Sequence, residues 1–375
     1  MPKWFNIAGP CKADIHYMLS PLARLPNLDR LIEQQGYFVI HAPRQTGKTT
    51  AMLALAQQLT ASEQYTAVMV SAEVGAAFPH DPGAAENAML GSWRENAEDY
   101  LPWELHPPEW FPAEPGQRIQ SALRAWAKIS PRPLVLFIDE IDALQDETLI
   151  SVLRQLRSGY PKRPQRFPHS LALIGVRDVR DYKVVSGGSN RLNTSSPFNI
   201  KIKSLTLSNF SAKEVAQLYE QHTSETEQVF EREAVQRAFD LTQGQPWLVN
   251  ALAKEIVEVI LPDPQQVITV DHIEQAKEIL IQRQDTHLDS LVSLLRDNRV
   301  RVILEPILAG QQLGDIPKDD RQFLVDLGLV VRHPDGGLTP ANPIYREVLP
   351  RVLASGTFNG VPPNPPYWRD PPKIG

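Results

Sequence analysis

The stretch Tyr37–Thr50, YFVIHAPRQTGKTT, leaves this chain few options. A short apolar run, Tyr37-Phe38-Val39-Ile40, enters a turn. Gly47-Lys48-Thr49 then opens a helix whose apolar positions are Met52, Leu53, Leu55, Ala56 and Leu59. Strand, loop and helix in that order gather unsatisfied backbone N–H groups at the positive end of a helix dipole. Such a nest binds phosphate. Ala42, Pro43, Arg44, Gln45, Thr46, Gly47, Lys48, Thr49 and Thr50 are therefore the candidate phosphate-binding set. In that motif the lysine, Lys48, reaches the β- and γ-phosphates and the Thr49 hydroxyl binds Mg²⁺. Gly47 stands where backbone must approach phosphate without a Cβ in the way. The pattern G-x-x-x-x-G-K-[ST] departs at its first position, which is Ala42. That methyl restricts the backbone angles at the loop's entry; Lys48, Thr49 and the helix start are kept.

A second segment supplies the complementary charge. Pro133-Leu134-Val135-Leu136-Phe137-Ile138 is continuously apolar, as a strand covered on both faces must be, and it ends in Asp139-Glu140. An acid at that place holds the Mg²⁺ sphere in phosphate-loop enzymes, so Asp139 is the second candidate metal ligand. The next carboxylate, Glu140, is the candidate base for the attacking water. A polar cap on a strand would explain either acid alone. The two segments together, in this order, make nucleoside triphosphate hydrolysis the default reading.

With 375 residues, 42% apolar and 22% charged, the chain has the composition of a globular protein of two or three domains. A net charge of −6 provides no general attraction to nucleic acid or anionic membrane. The lone Cys11 excludes an intrachain disulfide and a multi-cysteine zinc site. No apolar run nears the roughly 20 residues of a membrane span, and the N-terminus lacks a signal-peptide core, so a cytoplasmic location is expected.

Apolar strands alternating with helices predict a parallel α/β sheet over residues 1–205. Its strands are expected at Tyr37–Ile40, Tyr65–Ser71, Pro133–Ile138, Ser170–Val176 and Asn199–Ile202, and its helices at Pro26–Gln35, Ala84–Tyr100, Gln117–Lys128 and Glu147–Arg157. A Trp- and Pro-rich insert covers about Phe78–Pro115. Exposed tryptophans there would mark a contact surface, buried ones a scaffold. Residues 206–284 read as a helical lid, with helices at Ser211–Gln221, Glu231–Leu241, Gln245–Ile260 and Asp271–Arg283. Residues 285–353 read as helices Leu288–Leu295, Arg301–Ala309 and Asp319–Leu327, then a hairpin turning at Asp335-Gly336-Gly337, then helix Ile344–Leu353. That order suggests a winged helix. Residues 354–375, rich in proline, read as a tail.

The chain resembles the AAA-like ATPases of the STAND group, proteins with a phosphate-loop core, a helical lid and a C-terminal winged helix. The resemblance rests on APRQTGKTT (42–50), LVLFIDEID (134–142), GVRDVRDY (175–182), TQGQPWLVNALAKEI (242–256) and LGLVVR…GLTPANPIYREVL (327–349). It implies ATP and Mg²⁺ as ligands. It also implies that Arg177, with Arg180 as second candidate, senses the γ-phosphate and assists catalysis beside Lys48 and Glu140. Pro246, from the Gly244-Gln245-Pro246 element, is implied to pack on the adenine, though it also suits a helix start. His16 and Tyr17 lie in the lead-in that often contacts adenine in such proteins, with packing as their simpler role. A nuclease-like effector of the kind some relatives carry is expected here to be absent or supplied in trans.

The resulting expectation is a slow, nucleotide-dependent switch that couples ATP state to a protein partner or to self-association as a homo-oligomer. A DNA-associated regulator is the alternative. It is not favoured, because Lys318–Leu327, the candidate recognition helix, holds three aspartates against one lysine and one arginine. Arg296, Arg299 and Arg301 lie nearby, and a solvated helix end explains them equally well. A small-molecule kinase is disfavoured by Glu140 directly after Asp139.

Overall fold

The structure is a computed structural model and describes residues 2–177, 198–283, 294–295, 297–311, 313–314, 316–333 and 335–358. Five parallel strands form one sheet: β1 (Tyr37–His41), β2 (Thr66–Ser71), β3 (Leu134–Asp139), β4 (Ser170–Gly175) and β5 (Lys203–Thr206), in the order β2-β3-β4-β1-β5. Because β4 stands between β1 and β3, the phosphate loop after β1 and the acids after β3 flank the end of β4. Helix α1 (Leu28–Glu33) leads into β1, and the crossovers between strands run through α2 (Lys48–Ala61), α3 (Pro82–Tyr100), α4 (Arg118–Ile129) and α5 (Asp146–Gly159).

The continuous apolar runs serve two cores at once, since successive strand residues point to opposite faces. Tyr37, Val39, Leu134, Leu136 and Ile138 pack with α3, α4 and α5 on one face. Phe38, Ile40, Val135 and Phe137 pack with α1 and α2 on the other. The predicted last strand, Asn199–Ile202, is corrected: Phe198–Ile200 is a turn, and the strand that pairs with β1 is Lys203–Thr206. It is a sheet edge with one partner and partly exposed residues, so it carries no apolar signature.

The Trp- and Pro-rich insert is tied down by its own indoles. Trp93 is fully buried and donates to the Ser71 carbonyl at 2.7 Å; Trp110 donates to the Leu90 carbonyl at 2.9 Å. The buried Glu86 carboxylate receives N–H groups of Gly116 and Arg118, the Ser151 hydroxyl and the Gln155 amide. These make most of the insert a scaffold. Trp103 differs, at 82% exposure.

A third core lies beyond the sheet. It joins α6 (Ala212–Thr226), α7 (Arg232–Thr242), α8 (Pro246–Glu255, extended by a π-turn to Ile260) and α9 (Val270–Arg283). The same core continues into α10 (Asn298–Leu308), α11 (Lys318–Asp326), the antiparallel pair β6 (Val330–Arg332) and β7 (Leu338–Pro340), and α12 (Pro343–Phe358). Lys277 of α9 reinforces the join by bonding Glu347 of α12 at 3.1 Å. Phe5 and Tyr17, far earlier in the chain, pack into this core too. All but the last two residues of the helix expected at Leu288–Leu295, and the bulk of the expected tail, lie outside the described residues, while α12 runs through 354–358. No helix among the described residues is long and apolar enough to cross a membrane.

Candidate functional site

The loop between β1 and α2 is shaped by two left-handed residues, Gln45 at φ 58° and Gly47 at φ 93°. Gly47 precedes the first residue of α2, which leaves the early N–H groups of that helix at the loop's concave side. Arg24 braces the loop from behind. Its guanidinium donates to the carbonyls of Thr46 (3.3 Å) and Ser208 (2.7 Å) and lies over the Phe210 ring at 4.7 Å. The Thr46 hydroxyl closes the loop internally on the Pro43 carbonyl at 2.9 Å.

Lys48 is buried and folds back under this loop, donating to the carbonyls of Ala42 (2.8 Å) and Pro43 (2.9 Å). Burial pushes its pKa down, against the pull of Asp139, Asp142 and Glu140. Thr49 donates its hydroxyl to Asp139 Oδ2 at 2.6 Å, which brings the two expected metal ligands together from elements 90 residues apart in sequence. The other Asp139 oxygen accepts the Glu140 N–H at 2.9 Å. Burial raises the pKa of both acids, and in Glu140 the charges of Asp142 and Asp139 add to the effect. Glu140 itself is left-handed, at φ 52°. Near this pair, Asp142 Oδ1 is buried without a hydrogen-bond partner. Gly175 gives it room, for a Cβ there would stand 2.7 Å from that oxygen.

A cleft of about 500 Å³ opens in front of the loop. Arg44 through Thr50 and Glu140 line its polar end. Its apolar end is built from Asn6–Cys11, Tyr17, Leu218, Pro246, Trp247 and Asn250. The helical unit α6–α9 enters this wall through Gly244, whose φ of 68° and contact with Phe210 admit no side chain: a Cβ would lie 1.8 Å from the Phe210 carbonyl oxygen. The Phe210 N–H in turn donates to the Gly244 carbonyl at 2.8 Å. Gln245 caps α8 by accepting from the Leu248 N–H, and Pro246 takes the first helical position. The N-terminal segment is fastened on both sides, by Trp247 Nε1 donating to the Ile7 carbonyl (2.8 Å) and by the Cys11 N–H donating to Thr50 Oγ1 (3.2 Å).

The structure thus gathers Arg44–Thr50, Glu140 and Pro246 around one cleft, with Asp139 joined to it through the Thr49 hydroxyl. Ala42 and Pro43 are beneath it as acceptors for Lys48. Arg177 is elsewhere: half-buried past the end of β4, it lies over the Phe323 ring of α11 at 4.8 Å and is not part of the cleft lining. Arg180 lies outside the described residues. On the same flank Gly328, after α11, meets the phosphate loop so closely that a Cβ would be 2.6 Å from Pro43 Cβ. Of the lead-in pair, Tyr17 lines the cleft, whereas His16 is buried against Trp4, ring centroids 5.0 Å apart. Sequence reasoning missed Arg24, Asn250 and the segment Asn6–Cys11. Arg24 belongs to no motif, Asn250 lies in the 242–256 stretch without being singled out there, and the segment has no periodicity; only its contacts with α8 give it a place in the site.

Mg²⁺ takes oxygen donors and keeps water and phosphate in its sphere. The Thr49 hydroxyl and the Asp139 carboxylate, in mutual contact, are a donor set of that kind and fit the ion. Among the described residues no group of three or more His, Cys, Asp or Glu side chains is placed to hold a metal without such outside ligands.

Comparison with known proteins agrees with this geometry. Residues 38–168 match the family described as ATPase family associated with various cellular activities (AAA), and residues 124–350 match the AAA-like domain. The Walker-type ATPase PAby2304 of Pyrococcus abyssi shares the fold, with a TM-score of 0.62 at 12% identity over 92% of this chain and 99% of that one. Looser likenesses include the RuvB Holliday junction branch migration motor of Thermotoga maritima (TM-score 0.45, 15% identity, 87% of this chain and 92% of that one). Another is the ORC2 protein of Aeropyrum pernix (TM-score 0.47, 15% identity, 94% and 97%). No curated protein sequence matches. Because the AAA-like match spans more than half of the sequence and contains the acids that meet the phosphate loop, the chain belongs to the AAA-like family of P-loop ATPases.

Proposed function

We propose that this chain binds ATP with Mg²⁺ in the cleft, hydrolyses it slowly, and uses the nucleotide state as a switch. The observation that carries the reading is the Thr49–Asp139 contact at 2.6 Å, which joins the phosphate loop to the acidic strand end beside Glu140. Lys48 exchanges its two loop carbonyls for the β- and γ-phosphate oxygens, and the N–H groups around Gly47 cradle the same anion. Thr49 and Asp139 would hold the metal, which when bound neutralises phosphate charge. Glu140 orients a water and takes its proton as the water oxygen bonds to the γ-phosphorus. The bond to the bridging oxygen breaks, leaving ADP and phosphate. The raised pKa of Glu140 suits a proton acceptor. Pro246 packs on the base.

The switch reading is supported by what touches the loop from outside. Gly328 abuts Pro43, and Phe323 covers Arg177, so the C-terminal unit leans on both the phosphate loop and the candidate γ-phosphate sensor. For Arg177 to reach a γ-phosphate it must leave Phe323, which ties ATP binding to the position of α11. We assign residues 1–205 to the ATPase core, 206–284 to the lid and 285–353 to a winged-helix-like unit serving docking, on a protein partner or a second copy. DNA binding by that unit has less support: Arg299 faces Asp297 and Asp320, and Arg301 is paired with Glu305 at 2.8 Å. A cytoplasmic setting suits this role.

Two variants test the assignment. Lys48→Ala should lose ATP binding in calorimetry. Glu140→Gln should bind ATP at least as well as wild type and lose on the order of 100-fold in turnover. Turnover at the wild-type rate in Glu140→Gln would remove Glu140 from its role.

A further inference from the structure

Among the described residues lining the cleft, two buried side-chain atoms have no hydrogen-bond partner: Arg24 Nε and Asn250 Oδ1. The first belongs to a guanidinium already engaged by two carbonyls behind the phosphate loop. The second has no such explanation. Asn250 is 7% exposed, sits one helical turn after Pro246 on α8, and shares the apolar end of the cleft with Pro246 and Trp247. Its orientation is fixed, because Nδ2 donates to the Pro246 carbonyl at 2.8 Å. A flipped carboxamide would set oxygen against that carbonyl oxygen. Oδ1 is therefore the unmatched acceptor of this side chain, while Nδ2 keeps one further N–H beyond its bond to Pro246. A buried acceptor left without a donor is costly, so a ligand that supplies one is bound more tightly than a ligand that does not.

We infer that Asn250 is the specificity-determining residue for the base: its Oδ1 accepts a hydrogen bond from the 6-amino group of adenine, stacked beside Pro246. This rests on the nucleotide reading above and adds the edge of the base that is read. An acceptor there favours a 6-amino purine. A 6-oxo purine, whose oxygen is itself an acceptor, gives Oδ1 no donor. Other polar side chains at that end are engaged within the protein: Asn6 Oδ1 accepts the Ala8 N–H, Asn6 Nδ2 donates to the Gly9 carbonyl, and the Tyr17 hydroxyl bonds His222 Nδ1; Ile7, Leu218, Pro246 and Trp247 offer the base apolar surface.

The test uses the full chain and two nucleotides that differ only at this group, ATP and purine riboside triphosphate, which carries hydrogen in place of the 6-amino group. Calorimetric affinities should favour ATP by about tenfold in wild type. Asn250→Leu, of similar size and without the acceptor, should bind both equally. Comparable affinity of wild type for the two ligands overturns the inference while leaving the nucleotide site standing, and this arm needs no variant to fold. Persistence of the full preference in Asn250→Leu, with thermal unfolding like that of wild type, also overturns it by assigning the selection to another group. If wild type binds neither ligand, the nucleotide reading falls and the inference falls with it.

Discussion

Asp139, proposed as a metal ligand, illustrates how a buried carboxyl group burdens the fold that carries it. It is buried, and its pKa is raised above 3.8 chiefly by that burial. A raised pKa in the folded state means the neutral acid is the form the fold favours. The stability this group contributes is present below its unfolded value and lost as pH climbs through the raised one. Ionising it in the nucleotide-free protein therefore costs stability. Asp139→Asn removes the charge but keeps only one of the two acceptors that meet the Thr49 hydroxyl and the Glu140 N–H. Its melting temperature relative to wild type should therefore rise as pH goes from 4 to 7 in the absence of nucleotide and magnesium. Scanning calorimetry at several pH values decides it; a difference that stays constant with pH would contradict the assigned burial cost. The identity of this residue, with Lys48, Thr49 and Glu140, was readable from sequence because each belongs to a spaced motif. Arg24 and Asn250 were not, since their roles come from contacts made across the fold.

At the level of elements, the buried strands announced themselves through unbroken apolar runs, and β5 did not because an edge strand has no such requirement. The lid entry was legible for a different reason. Gly244-Gln245-Pro246 combines a residue free to adopt positive φ, a helix cap and a helix-start proline, and each does that work in the structure. Gly244→Ala would place a methyl against the Phe210 carbonyl and force an unfavourable φ. It should cost about 3 kcal/mol in chemical denaturation. A loss below about 1 kcal/mol would mean that Phe210 can withdraw and the hinge is looser than its hydrogen bond implies. The insert's tryptophans show what sequence leaves open. Their indoles were visible, but whether each faced inward depended on carbonyls from Ser71 and Leu90 that no local pattern foretells.

For the whole molecule, the shared core of lid and C-terminal unit means that the two should shift together against the sheet. The Phe323 ring contacts both Arg177 and Arg299 and so links that body to the end of β4. Phe323→Ala removes cation–π contacts of about 1 kcal/mol, enough for a several-fold change between two conformations of similar energy. Small-angle scattering should give wild type different radii of gyration with ATP and with ADP, and the variant without nucleotide should move toward the ATP value. Identical radii under all conditions would sink the switch. The fastening of Ile7 to Trp247 and of Lys3 to Glu225 also has a temporal consequence, because these contacts bridge more than 200 positions. During synthesis the first segment emerges long before the helices that receive it. The sheet and its loop can form while the wall made by Asn6–Cys11 and Trp247 is still incomplete. Capacity for nucleotide should therefore arise late, as the last act of a chain closing on its own beginning.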